Sequence, residues 1–185
     1  MSKREQGRVL AMQALYQWDL RGKDFDDQAS DFLSESTQDP EVYFFARELT
    51  LGAWSFRKKA DVWIRQAATH WEVERMAAVD RNILRLAIYE MLGREDIPPR
   101  VAIDQAIELA KRFGAAESGA FVNGILDHVL REAKPELAGR GQSANTGRPE
   151  ASGPAAAAAP ARPAPKGGAA MAARKYPDIK DWDAE

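Results

Sequence analysis

The sequence predicts an all-helical domain followed by a disordered tail, and two observations support this. Apolar residues recur at helical spacing through the first 134 residues, where no segment shows the alternation of a half-buried strand. Only three prolines precede Lys134, whereas the remaining 51 residues contain seven prolines, 15 alanines and six glycines. Such a segment buries too little apolar surface to order itself. We therefore expect about seven helices in 1–134 and a tail over 135–185.

The first half of the domain predicts three helices. Ser2 and Glu5 have the spacing of a capping box, so a helix begins here and ends at Gly22. Because apolar residues occupy two faces of this helix, we expect it in the middle of a bundle. A shorter helix follows at 26–35. Asp39 and Pro40 then begin a long helix, which we expect to bend or restart near 58–61.

The second half predicts three further helices with clear stop signals. They cover 79–92 before Gly93, 101–113 before Gly114, and 118–133 before Pro135. Six or seven helices in about 130 residues can bury a sufficient core.

Composition excludes several kinds of site. The chain has no cysteine and only two histidines, His70 and His128, so we expect no disulfide and no structural metal. No apolar run approaches membrane-spanning length, and the N-terminus lacks the apolar core of a signal peptide, so we expect a cytoplasmic protein. The formal net charge of −2 means that attraction to nucleic acid must come from local patches.

One pair of carboxylates has the spacing of a catalytic pair. Asp104 and Glu108 lie one helical turn apart, as paired acid and base groups can. Lys111 and Arg112 follow them, which is typical of a solvated helix face. Neither a Gly-x-Ser-x-Gly nucleophile motif nor a glycine-rich phosphate loop occurs. We therefore expect no enzymatic activity and no cofactor.

The start of the first helix favours RNA binding. Lys3, Arg4 and Arg8 lie in its first two turns, where a basic cluster suits phosphate contacts. Basic residues there oppose the helix dipole, so a functional reason for them is mildly favoured. A solvated helix end is the alternative.

The last predicted helix has an unusual Phe121-Val122-Asn123-Gly124 segment. A glycine inside a helix costs about 1 kcal/mol relative to alanine, and close helix packing is the simplest explanation for Gly124. Asn123 can bond a neighbouring backbone or offer its amide to a base edge. Phe121 can enter the core or stack on an unpaired base.

Four motifs in this order and spacing resemble the NusB family. They are Gln13–Trp18, Ile83–Glu90, Ala102–Lys111 and Phe121–Asp127. The likeness covers residues 3 to about 132 and does not include the tail. It implies two small helical bundles packed together and a non-enzymatic role in transcription antitermination. In that role the family binds boxA RNA of ribosomal RNA leaders together with NusE, a small-subunit ribosomal protein, and joins other Nus factors on RNA polymerase.

The resemblance also assigns site residues. By position, the RNA contacts would be Lys3, Arg4, Arg8, Tyr16, Glu117 and Phe121. The partner protein is expected against the C-terminal half, at Asp80 with Arg81 and Arg85 nearby.

This sequence departs from the family in its thinner arginine run, because residues 5–7 separate Arg4 from Arg8. Fewer phosphate contacts predict weak binding to RNA alone and a strong dependence on NusE. The alternative is a protein-interaction adaptor with weak, non-specific RNA binding. Some RNA cytosine methyltransferases carry a NusB-like domain, but we expect no catalytic domain in a low-complexity segment.

The tail itself predicts two possible roles. Its basic part, 140–175, can attract RNA non-specifically. Its acidic-aromatic end, 176–185, suits either a solubilising segment or a short docking peptide.

Overall fold

The computed structural model describes residues 1–25, 28–68 and 72–138, which form seven α-helices. These are α1 (Lys3–Arg21), α2 (Ala29–Ser36), α3 (Pro40–Ala67), α4 (Ala78–Gly93), α5 (Pro99–Phe113), α6 (Ser118–Ala133) and α7 (Pro135–Ala138). Short 3-10 helices at Gly22–Phe25 and Val73–Arg75 complete the described secondary structure, which includes no strand. The all-helical prediction is therefore confirmed. None of the described helices has the length and apolar character needed to cross a membrane.

The helix ends follow the local signals in the sequence. Ser2 Oγ accepts a hydrogen bond from the Glu5 backbone N–H at 3.2 Å, and the Glu5 carboxylate accepts one from the Ser2 N–H. Gly22 ends α1 with a φ of 60°, a conformation that favours glycine. Asp39 caps α3, with Pro40 in its first turn. The predicted limits of the last helix, 118–133, agree with α6.

The predicted interruption of the long third helix is wrong. Helix α3 runs for 28 residues without a break through 58–61. Its polar stretch still has an inner face, because Ala60 is fully buried and Asp61 binds Arg85 of α4. The helix therefore continues where the sequence pattern weakens.

Some predicted features lie outside the described residues. They are the first two residues of the helix predicted at 26–35, His70, and the tail from residue 139 onward. Within the described part, α7 continues the helical structure four residues beyond the predicted boundary at Lys134.

The helices form two groups. In the first, α1, α2 and α3 enclose one core, and Trp18 of α1 stacks on Trp54 of α3 with their ring centroids 4.7 Å apart. The buried residues of this core are Leu10, Ala14, Trp18, Phe25, Ala29, Leu33, Val42 and Ala46. In the second group α4, α5 and α6 pack on one another, while α1 and α3 both pack against α4. Helix α1 is consequently central, as its two apolar faces predict.

Two helical glycines differ in their surroundings, and only one of them allows close packing. Gly7 allows close approach of α1 to α3, since a Cβ there would lie 2.6 Å from Phe45 Cδ1. Gly124 has open space around the same position and is exposed. Close packing therefore does not explain Gly124, and that expectation is wrong.

Substituting these two glycines tests the packing directly. We expect Gly7→Ala to lower the free energy of unfolding by about 1–3 kcal/mol, because the buried Phe45 ring must move. The matched substitution Gly124→Ala should raise it by about 0.5–1 kcal/mol, because alanine favours a helix and meets no neighbour. Urea denaturation followed by circular dichroism measures both, and equal effects of the two substitutions would contradict this account.

Candidate nucleic-acid interface

Lys3, the first predicted RNA contact, is exposed but paired. Its Nζ lies 2.9 Å from Asp39 Oδ2 and also pairs with Glu41, both at the start of α3. Hydrogen bonds to Glu41 and Asp39 raise the pKa of Lys3, and the bond from Lys3 lowers the pKa of Asp39. The charge of Lys3 is therefore balanced within the protein.

Arg4 is exposed and is held by an aromatic ring. Its guanidinium carbon lies 4.2 Å from the centroid of Phe45, a cation-π arrangement. Within the described ranges, no carboxylate forms an ion pair with Arg4 at 4.0 Å or less. The guanidinium therefore keeps its hydrogen-bond donors for an anionic ligand.

Arg8 is in the core, which does not agree with the expected phosphate contact. Its Nε lies 3.0 Å from Glu90 Oε1 of α4, and the two side chains are only 6% and 2% exposed. Burial raises the pKa of Glu90 despite the opposing charge of Arg8. Since α1 enters the space between α3 and α4 from Gly7 onward, Arg8 joins helices instead of facing solvent.

Tyr16 is also buried, with 7% of its surface exposed, and burial raises its pKa. It lies three helical turns beyond Arg4, about 18 Å along the α1 axis. The structure therefore places Tyr16 among the core residues and not beside Arg4.

The second predicted RNA segment surrounds the start of α6. Glu117 is exposed immediately before the helix, whereas Phe121 and Asn123 are half-buried on it. Asn123 forms no side-chain hydrogen bond with the described residues, so the expected bond to a neighbouring backbone is not formed. Its amide is thus free to serve a ligand.

The start of α1 lies near the chain segment that leads into α6. Met1 Sδ is 3.4 Å from Arg112 Nη1, at the end of α5. The turn to α6 begins directly after this helix, at Gly114. The two predicted RNA segments are therefore connected through the end of α5.

Arg112 is a candidate that the sequence reasoning missed. The sequence pattern groups it with Lys111 on a solvated, charge-balanced face of α5, but Lys111 is the residue that pairs with Glu108 there, with its Nζ 2.7 Å from Glu108 Oε1. Arg112 is exposed, lies 4.8 Å over the Phe113 ring and has no ion pair within the described part. Its position directly before the turn to α6 was the available signal.

Arg85, predicted to contact a partner protein, instead joins three helices. Its Nε and Nη2 donate to the two oxygens of Asp61 in α3 at 2.7 and 2.8 Å, and its Nη1 donates to Asp19 Oδ1 in α1 at 2.9 Å. The Arg85 side chain is 9% exposed. It is therefore a structural residue, because its donors are used inside the protein.

Arg81 extends the same network. Its Nε donates to Asp19 Oδ2 at 2.9 Å, and its Nη1 donates to the Val73 carbonyl oxygen at 3.1 Å. Burial tends to raise the pKa of Asp19, but the charges of Arg85 and Arg81 outweigh it and lower that pKa. Asp80, the remaining partner candidate, is half-buried in the first turn of α4.

The carboxylate pair weighed as catalytic lies on a solvated face. Asp104 and Glu108 are both exposed on α5, and Glu108 is paired with Lys111. The described residues contain no cluster of three or more histidine or acidic side chains able to hold a metal ion.

Comparison with known proteins places this chain in a family. The sequence pattern of the NusB family matches residues 5–131, which is more than half of the chain. The chain belongs to the NusB family.

Individual NusB proteins support this. The transcription antitermination protein NusB of Symbiobacterium thermophilum is 47% identical over 142 residues, covering 72% of this chain and 92% of the relative. A T. maritima NusB structure is 37% identical, with a TM-score of 0.64, and covers 75% of this chain and 96% of its own. A structure of the antitermination factors NusB and NusE in complex with dsRNA is 27% identical, with a TM-score of 0.64, over 71% of this chain and 98% of that one.

Substituting the buried pair Arg8–Glu90 tests its structural role. We expect Arg8→Met alone to lower the free energy of unfolding by about 3–5 kcal/mol at neutral pH, because Glu90 is left as an unpaired buried charge. The double substitution Arg8→Met with Glu90→Met should recover most of this loss. Urea denaturation of the single and double variants measures both effects.

The effect of pH provides a control. The charge of Arg8 opposes the effect of burial on Glu90, so removing Arg8 raises the pKa of Glu90 further in the folded variant. The folded variant therefore takes up a proton at a higher pH than the folded unsubstituted protein does. The loss in free energy of unfolding caused by Arg8→Met should therefore be smaller near pH 4.5 than near pH 7.5. A deficit that is independent of pH, or a double variant no more stable than the single one, would contradict the buried pair.

Proposed function

We propose that this NusB-family protein acts in transcription antitermination by binding boxA-type RNA together with NusE. The observation that carries the proposal is Arg4, an exposed guanidinium held on Phe45 at the start of α1, where Met1 contacts Arg112 at the end of α5. Transcription antitermination is the named activity of curated relatives, and a similar solved structure holds NusB with NusE and RNA.

In this proposal RNA binds a surface that we call the α1–α6 face, formed by Arg4, Arg112, Glu117 and Phe121. The two arginines contact phosphates, which position the strand. Phe121 offers a half-buried ring, whose face suits stacking on an unpaired base. Asn123 lies about 200° around α6 from Phe121, outside the α1–α6 face, and its amide suits a base edge of RNA that extends around the helix. Glu117 accepts hydrogen bonds from base amino groups.

Arg8 and Tyr16 contribute to this face from within the protein. Arg8 fixes α1 against α4, and Tyr16 fills the core farther along the same helix. Their substitution would alter RNA binding through the position of α1. Lys3 is at the edge of the face, paired with acidic residues of α3.

NusE is proposed to bind the C-terminal half. Asp80 is the candidate contact there, while Arg81 and Arg85 hold the helix that carries it through their bonds to Asp19. Arg81 and Arg85 would therefore support a NusE site without touching NusE.

The wider function follows from this assignment. The protein would act without catalysis or cofactor, in the cytoplasm, where bacterial transcription takes place. It would reach other Nus factors and RNA polymerase through NusE and RNA. We assign this function to residues 1–134. The tail from residue 135 is an addition to this functional domain.

One observation favours a second candidate function. Of the three cations expected at the start of α1, Arg8 is buried and Lys3 is paired, so one remains without an acidic partner. A protein adaptor with weak, non-specific RNA binding would show such a reduced basic surface.

Substituting Arg4 tests the proposed function. Fluorescence anisotropy should show that Arg4→Ala weakens binding of a boxA-type RNA several-fold in the presence of NusE. The slope of log affinity against log salt should fall by about 0.7, as expected for one lost contact to single-stranded RNA. Arg75→Ala is the matched control, because Arg75 is also an exposed arginine but lies far from the start of α1. Its 3-10 helix, Val73–Arg75, is near the other end of α1, since Arg81 donates hydrogen bonds both to the Val73 carbonyl oxygen and to Asp19.

A scrambled RNA of equal length distinguishes the two candidate functions. Preferential binding of the boxA-type strand, strengthened by NusE, is expected for an antitermination factor. Equal, salt-sensitive binding of both strands with normal NusE binding would instead support the adaptor. Equal effects of Arg4→Ala and Arg75→Ala would contradict the role of Arg4.

A further inference from the structure

Lys3 has its acidic partners on another helix, and this arrangement resembles a ligand site. Asp39 and Glu41 at the start of α3 receive the Lys3 ammonium. We infer that these two carboxylates occupy the place of an RNA phosphate, and that bound RNA displaces them from the Lys3 ammonium. The inference rests on the proposed function, because it requires RNA at the start of α1.

The position of Asp39 is fixed independently of Lys3. Its Oδ1 accepts hydrogen bonds from the backbone N–H groups of Glu41 and Val42, at 2.9 and 3.5 Å, and so caps α3. Its Oδ2 is the oxygen 2.9 Å from Lys3 Nζ. One oxygen therefore serves the helix and the other faces the ammonium, which gives Lys3 a preformed anionic partner.

The pair is exchangeable because it is in water. The side chains of Lys3 and Glu41 are 54% and 75% exposed. Ion pairs of this kind are weak and are screened by salt. An RNA phosphate can replace the two carboxylates as the partner of Lys3, because other residues of the protein bind the same RNA strand.

The three cations of the α1 start therefore differ in their availability. Arg4 lies on Phe45 and forms no ion pair within 4.0 Å in the described part, although its charge reaches Asp96, whose carboxylate is hydrogen-bonded to Arg94. Arg8 is paired with Glu90 in the core. Lys3 is intermediate in availability, since it is exposed but paired with Asp39 and Glu41. Asp39 and Glu41 thus limit the electrostatic affinity of the α1–α6 face.

Substituting Glu41 is the direct test, with Glu48 as the matched control. Both are exposed acids on α3, but Glu48 pairs with Arg94 at 3.2 Å and not with Lys3. We expect E41Q to tighten binding of a boxA-type RNA about two- to fivefold in the presence of NusE at about 50 mM salt. The salt slope should steepen by up to about 0.7, while E48Q, which removes an equal charge that does not pair with Lys3, should change both quantities clearly less.

A second substitution shows whether the effect passes through Lys3. In a Lys3→Ala background the gain from E41Q should disappear, because no ammonium remains to be released. Asp39→Asn adds an independent variant, since asparagine also caps helices and leaves the start of α3 intact. It should tighten RNA binding in the same way as E41Q.

The outcomes separate this inference from the proposed function. RNA binding that is equal in E41Q and E48Q, or a gain from E41Q that persists without Lys3, would overturn the inference alone. Failure of the unsubstituted protein to bind RNA, even with NusE, would overturn the proposed function and this inference with it.

Discussion

The structure depends on buried and half-buried ion pairs that attach α1 to α4 at two levels. Arg8 meets Glu90 near the start of α1, and Asp19 meets Arg81 and Arg85 near its end. Since the partners appear in opposite order along the two helices, α1 and α4 are antiparallel. Removing one member of such a pair leaves a buried charge without compensation, at a cost of several kcal/mol. These pairs consequently fix the position of α1 along α4.

That position determines which basic residues reach solvent. The helical turn that ends at Gly7 is the last before α1 enters the core. Because Gly7 has no side chain, the Phe45 ring packs directly against the α1 backbone there. Arg4, one turn earlier, lies on the outer side of that ring. The arginines therefore divide into two functions that the sequence does not distinguish: those inside hold the helices together, and those outside are available to an anionic ligand. A small number of available cations fits a protein that reads RNA jointly with a partner.

The fold was largely predictable because its signals are local. The capping box at Ser2 and Glu5, the Asp39-Pro40 start of α3 and the stops at Gly22 and Gly114 involve residues within a few positions of one another. The site was less predictable because its decisive contacts are distant in sequence. Arg8 and Glu90 are 82 positions apart, so the sequence could not show that Arg8 is paired and buried. The expectation for Gly124 was wrong for the same reason, since only tertiary contacts distinguish Gly124 from Gly7.

The central claim is that Arg4 binds RNA while Arg8 remains in the core. It is tested most directly by following the arginine Nε–H resonances by NMR as boxA-type RNA is added to the protein with NusE. Our account predicts that the Arg4 resonance shifts as the guanidinium meets phosphate, while the Arg8 resonance keeps its position because its Nε–H stays bonded to Glu90. A shift of the Arg8 resonance with no change at Arg4 would contradict this assignment.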